Sequence, residues 1–178
     1  MPQYVMVIDR GKCVGCQSCT VACRVHNDLP VSVIYNPVVT NGVTGLFPHV
    51  HMTHVPLLCM HCRNTPCVDA CPTKASQQRE DGIVWVDQDM CVGCKACIMS
   101  CPYGARSSHD GVAWKCTFCK ERVDAGEKPY CVNTCHQKAR SFGDLDDPAS
   151  EVAQLVGAKG GQWLLGELNT QPGVYYIN

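Results

Sequence analysis

The sequence predicts a small α+β fold of short strands, hairpins and short helices, built by internal repetition around bound cofactors. Three observations carry that prediction. Sixteen of the 178 residues are cysteine, a frequency that signals cross-linking by metals or disulfides in place of a large apolar core. The sixteen fall into four groups of four, each opening with a Cys-x2-Cys pair and closing with Cys-x3-Cys. Between the groups lie only short stretches with strand or helix character.

Those stretches can be taken in order. Tyr4 to Asp9 alternates well enough for a strand leading into the first group. A helix begins near Ser18 and carries Cys19 and Cys23 on one face, because positions four apart are neighbours on a helix. Val31 to Val55 has no cysteine, reads as loop-rich, and is expected to link the two halves across the surface. Gln77 to Asp87 reads as a hairpin, with Glu80-Asp81-Gly82 as the turn and Ile83 to Val86 as the return strand. Asp147 as N-cap and Pro148 at the first helical position start a helix. It is expected to run to about Val156, before Gly157 and the Gly160-Gly161 pair end it.

Composition excludes several functions. The formal charge is −1, which gives no footprint for nucleic acid or an anionic membrane surface. No apolar stretch approaches the roughly 18–20 residues that span a bilayer, so no direct membrane insertion is expected. Met1 is followed by a polar, strand-like opening, so no secretory leader is expected on this chain. Disulfide frameworks belong to short secreted chains and give no reason for regular Cys-x2-Cys spacing. No nucleophile–base arrangement, phosphate-cradling loop or placed pair of carboxylates stands out, and no catalytic residue is predicted.

The spacing itself points to iron–sulfur clusters. Cys13, Cys16, Cys19 and Cys23 share the pattern C-x2-C-x2-C-x3-C with Cys91, Cys94, Cys97 and Cys101. Cys59, Cys62, Cys67 and Cys71 read C-x2-C-x4-C-x3-C, and Cys116, Cys119, Cys131 and Cys135 read C-x2-C-x11-C-x3-C. A [4Fe–4S] cubane needs one thiolate at each of four corners, and a tight C-x2-C-x2-C loop can wrap three of them. In two-cluster ferredoxins the fourth cysteine ligates the other cluster, and the proline that follows it there recurs as Pro72 and Pro102. Zinc is the competing metal: ribbons use two Cys-x2-Cys pairs across a spacer, which the last group alone could imitate. Four tandem groups favour four [4Fe–4S] clusters.

The ordered motifs resemble one family closely. They are Ile8-Asp9 ahead of the first group, the run from Cys59 to Val68, Cys71-Pro-Thr-Lys-Ala and Asp81-Gly-Ile-Val. Cys101-Pro-Tyr-Gly-Ala-Arg, Lys115-Cys-Thr-Phe-Cys and Phe142-Gly-Asp-Leu-Asp-Asp-Pro follow. Over roughly residues 3 to 150 the chain resembles the four-cluster iron–sulfur electron-transfer subunits of the dimethyl-sulfoxide-reductase superfamily. That resemblance implies two ferredoxin-like modules, residues 1–45 with 108–147 and residues 46–107, followed by a C-terminal docking segment, 148–178. It also implies ligand sets. One cluster would use Cys13, Cys16, Cys19 and Cys135, and a second Cys23, Cys116, Cys119 and Cys131. A third would use Cys59, Cys62, Cys67 and Cys101, and the last Cys71, Cys91, Cys94 and Cys97. Cysteine at 94, where some relatives have tryptophan, implies a full [4Fe–4S] cluster.

The same resemblance implies a large catalytic partner carrying molybdenum or tungsten in a bis-pterin guanine dinucleotide cofactor. It implies a quinol-linked membrane subunit, or a cytochrome, as the other partner. It further implies anaerobic respiration on a sulfur, arsenic or similar oxyanion, and an extracytoplasmic location reached by export with a twin-arginine partner, a cytoplasmic one being the alternative. The strand-like end Pro172 to Asn178 would dock on the larger subunit. A soluble polyferredoxin serving a hydrogenase or formate dehydrogenase is the competing function, and a structural zinc protein a remote one.

Some residues stand apart. His136 occupies the position after Cys135 where the family usually has proline, restoring a backbone N–H and adding a titratable ring beside a cluster. His49, His51, His54 and His61 crowd the segment before and inside the second group; the first three read as a metal site or, more in keeping with a strand, as polar interface or surface positions, and His61, inside the cysteine group, as a structural residue. Lys12, Lys95, Lys115, Lys120, Arg63 and Arg106 lie near cysteines in sequence and could offset cluster charge. Trp85 and Trp114 read as packing residues.

Overall fold

The computed structural model describes residues 1–178. It is a small mixed α/β structure of short elements. In chain order these are β1 (Tyr4–Asp9), α1 (Ser18–His26), β2 (Val38–Thr40), β3 (Thr44–Leu46), β4 (His49–His51) and β5 (His54–Pro56). Then come α2 (Pro66–Asp69), β6 (Ser76–Gln78), β7 (Val84–Val86), α3 (Ala96–Met99), β8 (Ser107–His109) and β9 (Val112–Trp114). The chain closes with α4 (Lys120–Asp124), α5 (Tyr130–Asn133), β10 (Arg140–Asp144), α6 (Glu151–Lys159) and β11 (Val174–Ile177).

The only sheet of three strands has the order β10-β1-β11, with β1 antiparallel to β10 and parallel to β11. β1 sits at its centre because both its faces are apolar. Met6 and Ile8 point into the main core with Phe142, Val174 and Tyr176. Val5 and Val7 point the other way, against Val152 of α6 and Ile177. Each such side chain contributes about 1.5–3 kcal/mol on burial. The main core also contains Cys19, Cys59, Cys116 and Cys131, four of its fourteen buried residues, so thiols form part of its wall.

The predicted strand at Tyr4 to Asp9, the helix from Ser18 and the hairpin across Gly82 are all present, the last as β6 paired with β7. Two expectations differ. The segment from Val31 to Val55 holds a two-tier ribbon, with β2 paired to β5 and, beyond it, β3 paired to β4. Its strands are only three residues each, too short to leave a period in the sequence. The last helix starts later and ends later than expected. Ser150 is its N-cap, accepting from the Ala153 amide at 3.2 Å, while Asp147 makes a local turn with the Ala149 amide at 2.9 Å. The helix passes through Gly157 and stops at Gly160, whose φ of 64° is the left-handed C-terminal cap that glycine adopts without penalty. The strand expected at the end of the chain is present as β11, an edge strand paired with β1 from Met6↔Val174 to Asp9↔Ile177.

Candidate metal centres

The cysteine loops have repeated backbone shapes. In the first and third groups Gly15 and Gly93 take φ of 67° and 65°, and Gln17 and Lys95 follow at 59° and 61° as left-handed caps of α1 and α3. That double twist turns the third cysteine, Cys19 or Cys97, inward as the helix begins. A Cβ at position 93 would lie 2.0 Å from the Gly111 carbonyl oxygen, so only glycine fits. After the last cysteine of groups two, three and four the chain turns back through Lys74, Gly104 and Lys138, all at positive φ. Their amides donate to the carbonyls of Cys71, Cys101 and Cys135 at 3.3, 3.2 and 3.0 Å. The turns also aim N–H groups at sulfur: Ser76 to Cys71 Sγ and Ala139 to Cys135 Sγ, both at 3.3 Å.

Folding brings cysteines from different groups together. Cys13, Cys16, Cys19 and Cys135 line one cavity of about 380 Å³. Cys71, Cys91, Cys94 and Cys97 line another of about 380 Å³, and Cys59, Cys62, Cys67 and Cys101 a third of about 320 Å³. The remaining four, Cys23, Cys116, Cys119 and Cys131, are all buried, close enough that charge on three of them raises the pKa of Cys116. No three His, Cys, Asp or Glu side chains converge to single-ion distance. Four thiols around a cavity, with amides aimed at sulfur, fit a polynuclear iron–sulfur group and do not fit a lone zinc ion. Only Cys16 and Cys94 are exposed, and they belong to different cavities.

Burial governs the thiols in the absence of metal. It pushes Cys23 and Cys62 up to about 12, Cys131 up to about 11 and Cys116 well above 9.0. Such thiols are neutral near pH 7, so metal must displace their protons, and its binding drives both ionisation and folding. Exposed Cys16 shifts down instead, because the hydroxyl and amide of Ser18 favour its thiolate.

Other singled-out residues separate clearly. His49 and His51 are exposed on β4, and His54 Nδ1 pairs with Thr40 Oγ1 at 3.0 Å, so the four histidines form no joint ion site. His61 is buried; its Nδ1 accepts from the Val84 amide at 3.0 Å and its ring stacks on Phe118 at 3.6 Å. His136 is exposed on the turn after α5. Lys12, Lys95 and Arg63 are also exposed, and Lys120 lies over the Trp85 ring at 4.2 Å. Trp114 packs against the small core of Cys23, Leu29 and Val33. Lys115 and Arg106 are buried among thiols, and so is Arg140, which sequence reasoning missed. The signal for it was present: Ala105-Arg106 and Ala139-Arg140 each end five residues after the last cysteine of their groups.

Comparison with known proteins agrees with this chemistry. A 4Fe-4S dicluster domain matches residues 50–145, and a 4Fe-4S binding domain matches residues 10–26. The chain is 43% identical to the thiosulfate reductase electron transfer subunit of Salmonella typhi, with 88% of this chain and 83% of that protein covered. It is 40% identical to a subunit of the selenate reductase of Mesobacillus selenatarsenatis, covering 98% and 72%. It is 42% identical to a subunit of the tetrathionate reductase of Salmonella typhimurium, also covering 98% and 72%. The chain therefore belongs to the family of 4Fe-4S electron-transfer subunits of the dimethyl-sulfoxide-reductase superfamily.

Proposed function

We propose that this chain relays single electrons through four [4Fe–4S] clusters between a quinol-linked membrane subunit, or a cytochrome, and a catalytic subunit carrying molybdenum or tungsten in a bis-pterin cofactor. The ligands are the four sets already described: Cys13, Cys16, Cys19 and Cys135; Cys23, Cys116, Cys119 and Cys131; Cys59, Cys62, Cys67 and Cys101; and Cys71, Cys91, Cys94 and Cys97. Residues 1–45 with 108–147 form one two-cluster module in this reading, and residues 46–107 the other. Each cluster supplies a reversible one-electron couple. The protein supplies ligation, amides aimed at sulfur, and a dry surround that sets the potential.

The observation that carries the reading is the exposure pattern. The two exposed cysteines, Cys16 and Cys94, belong to two different sets, and the set of Cys23, Cys116, Cys119 and Cys131 is wholly buried. A chain of sites with its two ends at the surface is what a relay between two partners needs. The named relatives belong to reductases of thiosulfate, selenate and tetrathionate, and an oxyanion of that kind, or of arsenic, is the substrate we assign to the partner. The complex would work in anaerobic respiration on the extracytoplasmic side, exported with a partner that bears the twin-arginine signal.

Purification of the native complex tests this. Expected are a large molybdopterin subunit, four irons and four sulfides for each of four sets, and visible absorption that bleaches with dithionite in four one-electron steps. Two clusters, or a colourless zinc protein, would refute it. Isolation with a hydrogenase in place of a molybdopterin subunit would favour the polyferredoxin alternative.

A further inference from the structure

Of the fifteen lysines and arginines, three are buried: Arg106, Lys115 and Arg140, at 6%, 2% and 3% exposure. None of them reaches a carboxylate, whereas the ion pairs of this chain all involve surface cations. A buried cation without a counter-charge costs several kcal/mol. Something besides Asp and Glu must therefore balance these three.

Their positions say what. Arg140 lines the cavity of Cys13, Cys16, Cys19 and Cys135, and it also lies against Cys131 of the wholly buried set. It is held there by Asn36 Oδ1 at 2.6 Å and Met6 Sδ at 3.5 Å. Lys115 donates from Nζ to the carbonyls of Val84 and Cys116. Val84 lines the third set's cavity and Cys116 belongs to the buried set, and the charges of Cys59, Cys116 and Cys67 all act on the ammonium. Arg106 lines the third cavity and donates to Cys67 Sγ at 2.9 Å. The same nitrogen donates to Ser76 Oγ at 2.8 Å, and Ser76 lines the fourth set's cavity, from which Cys97 also acts on the guanidinium. The other terminal nitrogen of Arg106 has no partner at all.

We propose that Arg140, Lys115 and Arg106 are fixed counter-charges, one at each of the three junctions between successive cysteine sets, and that each raises the potentials of the two clusters flanking it together. The inference rests on the four-cluster reading. An oxidised cubane with four thiolates carries about −2, and one electron makes it more negative. A cation shared between two such sites stabilises the reduced form of both and offsets their mutual repulsion. The step across each junction then stays close to level in energy. Two of the three arise by repetition, as Ala-Arg five residues after a closing cysteine, and serve sets joined within one pair of groups. Lys115 has no such counterpart and serves the crossing between the pairs.

The test uses the native complex with Arg140→Met, Lys115→Met or Arg106→Met, alongside Arg140→Lys, Lys115→Arg and Arg106→Lys. Iron content and potentiometric titration followed by low-temperature electron paramagnetic resonance are read for each. Each methionine variant is expected to lower the midpoint potentials of the two flanking clusters and leave the other two unmoved, with the charge-keeping variant near the parent. If a methionine variant loses iron, loss from both flanking sites supports the proposal. A shift or loss confined to one cluster, a general shift of all four, or no shift in a fully loaded variant overturns it. Failure of the parent itself to show four clusters refutes the underlying reading, so the two failures are distinguishable.

Discussion

Phe118 is 1% exposed, with the His61 ring stacked on it at 3.6 Å and the Phe142 ring edge-on at 5.3 Å. Tyr4 stacks on Phe142 in turn, at 5.4 Å. This column of rings ties the central sheet to the loops that carry Cys59 and Cys62 on one side and Cys116 and Cys119 on the other. Truncating Phe118 removes the middle of the column. Phe118→Ala is expected to cost about 3–5 kcal/mol, the usual range for a buried phenylalanine. Because cluster proteins lose their metal as they unfold, the readout is the rate at which visible absorption bleaches in guanidinium. Faster bleaching than in the parent, with Phe118→Leu in between, is the expected order; equal rates for all three would show that the column carries no stability. The contact could not be foreseen from sequence, since His61 and Phe118 lie far apart along the chain and neither belongs to a periodic stretch.

At the scale of elements, α6 gives the cleanest case. It covers one face of β1 through Val152, and its cap is a single hydroxyl, Ser150 Oγ, which accepts from Ala153 and donates to the Asp144 carbonyl. Ser150→Ala is expected to cost about 1 kcal/mol and to speed amide exchange in Glu151–Lys159 without altering the cluster spectra. A change in the spectra would mean that α6 supports the metal sites directly. The sequence made Asp147 look like the cap because Asp-Pro is a common helix opening; Ser150 was equally eligible, and only the tertiary position of Asp144 decides between them. β1, α1 and the β6–β7 hairpin were legible because each carries a local period or turn signal. The ribbon of β2 to β5 was not, because its strands are too short to show alternation. The internal pairing of β11 was not legible either, since a terminal strand reads the same whether its partner is its own chain or another. The site was more legible than the fold around it: cysteine spacing reports a metal loop directly. Arg140 escaped because a cation's meaning depends on burial, which spacing does not encode.

At the scale of the whole molecule, the question is what remains when the metal is removed. The main core includes Cys19, Cys59, Cys116 and Cys131, and three four-cysteine cavities of about 380, 380 and 320 Å³ open beside it. Emptied, these thiol-lined spaces lose the contacts that a cluster would give their walls. Native domains are stable by only roughly 5–15 kcal/mol. The three buried cations would also be left without counter-charge, a further cost of several kcal/mol each. Both terms run the same way, so the chain without clusters should not hold this fold. Removing iron with an oxidant and a chelator is expected to lose far-UV ellipticity in step with the visible bleach and to open the cysteine loops to protease. Among the protected amides, those of β1, β10 and β11 should persist longest, because Val5, Val7, Val152 and Ile177 form a small core that contains no cysteine. Undiminished ellipticity and protease resistance after complete iron removal would show that polypeptide packing alone sustains the fold.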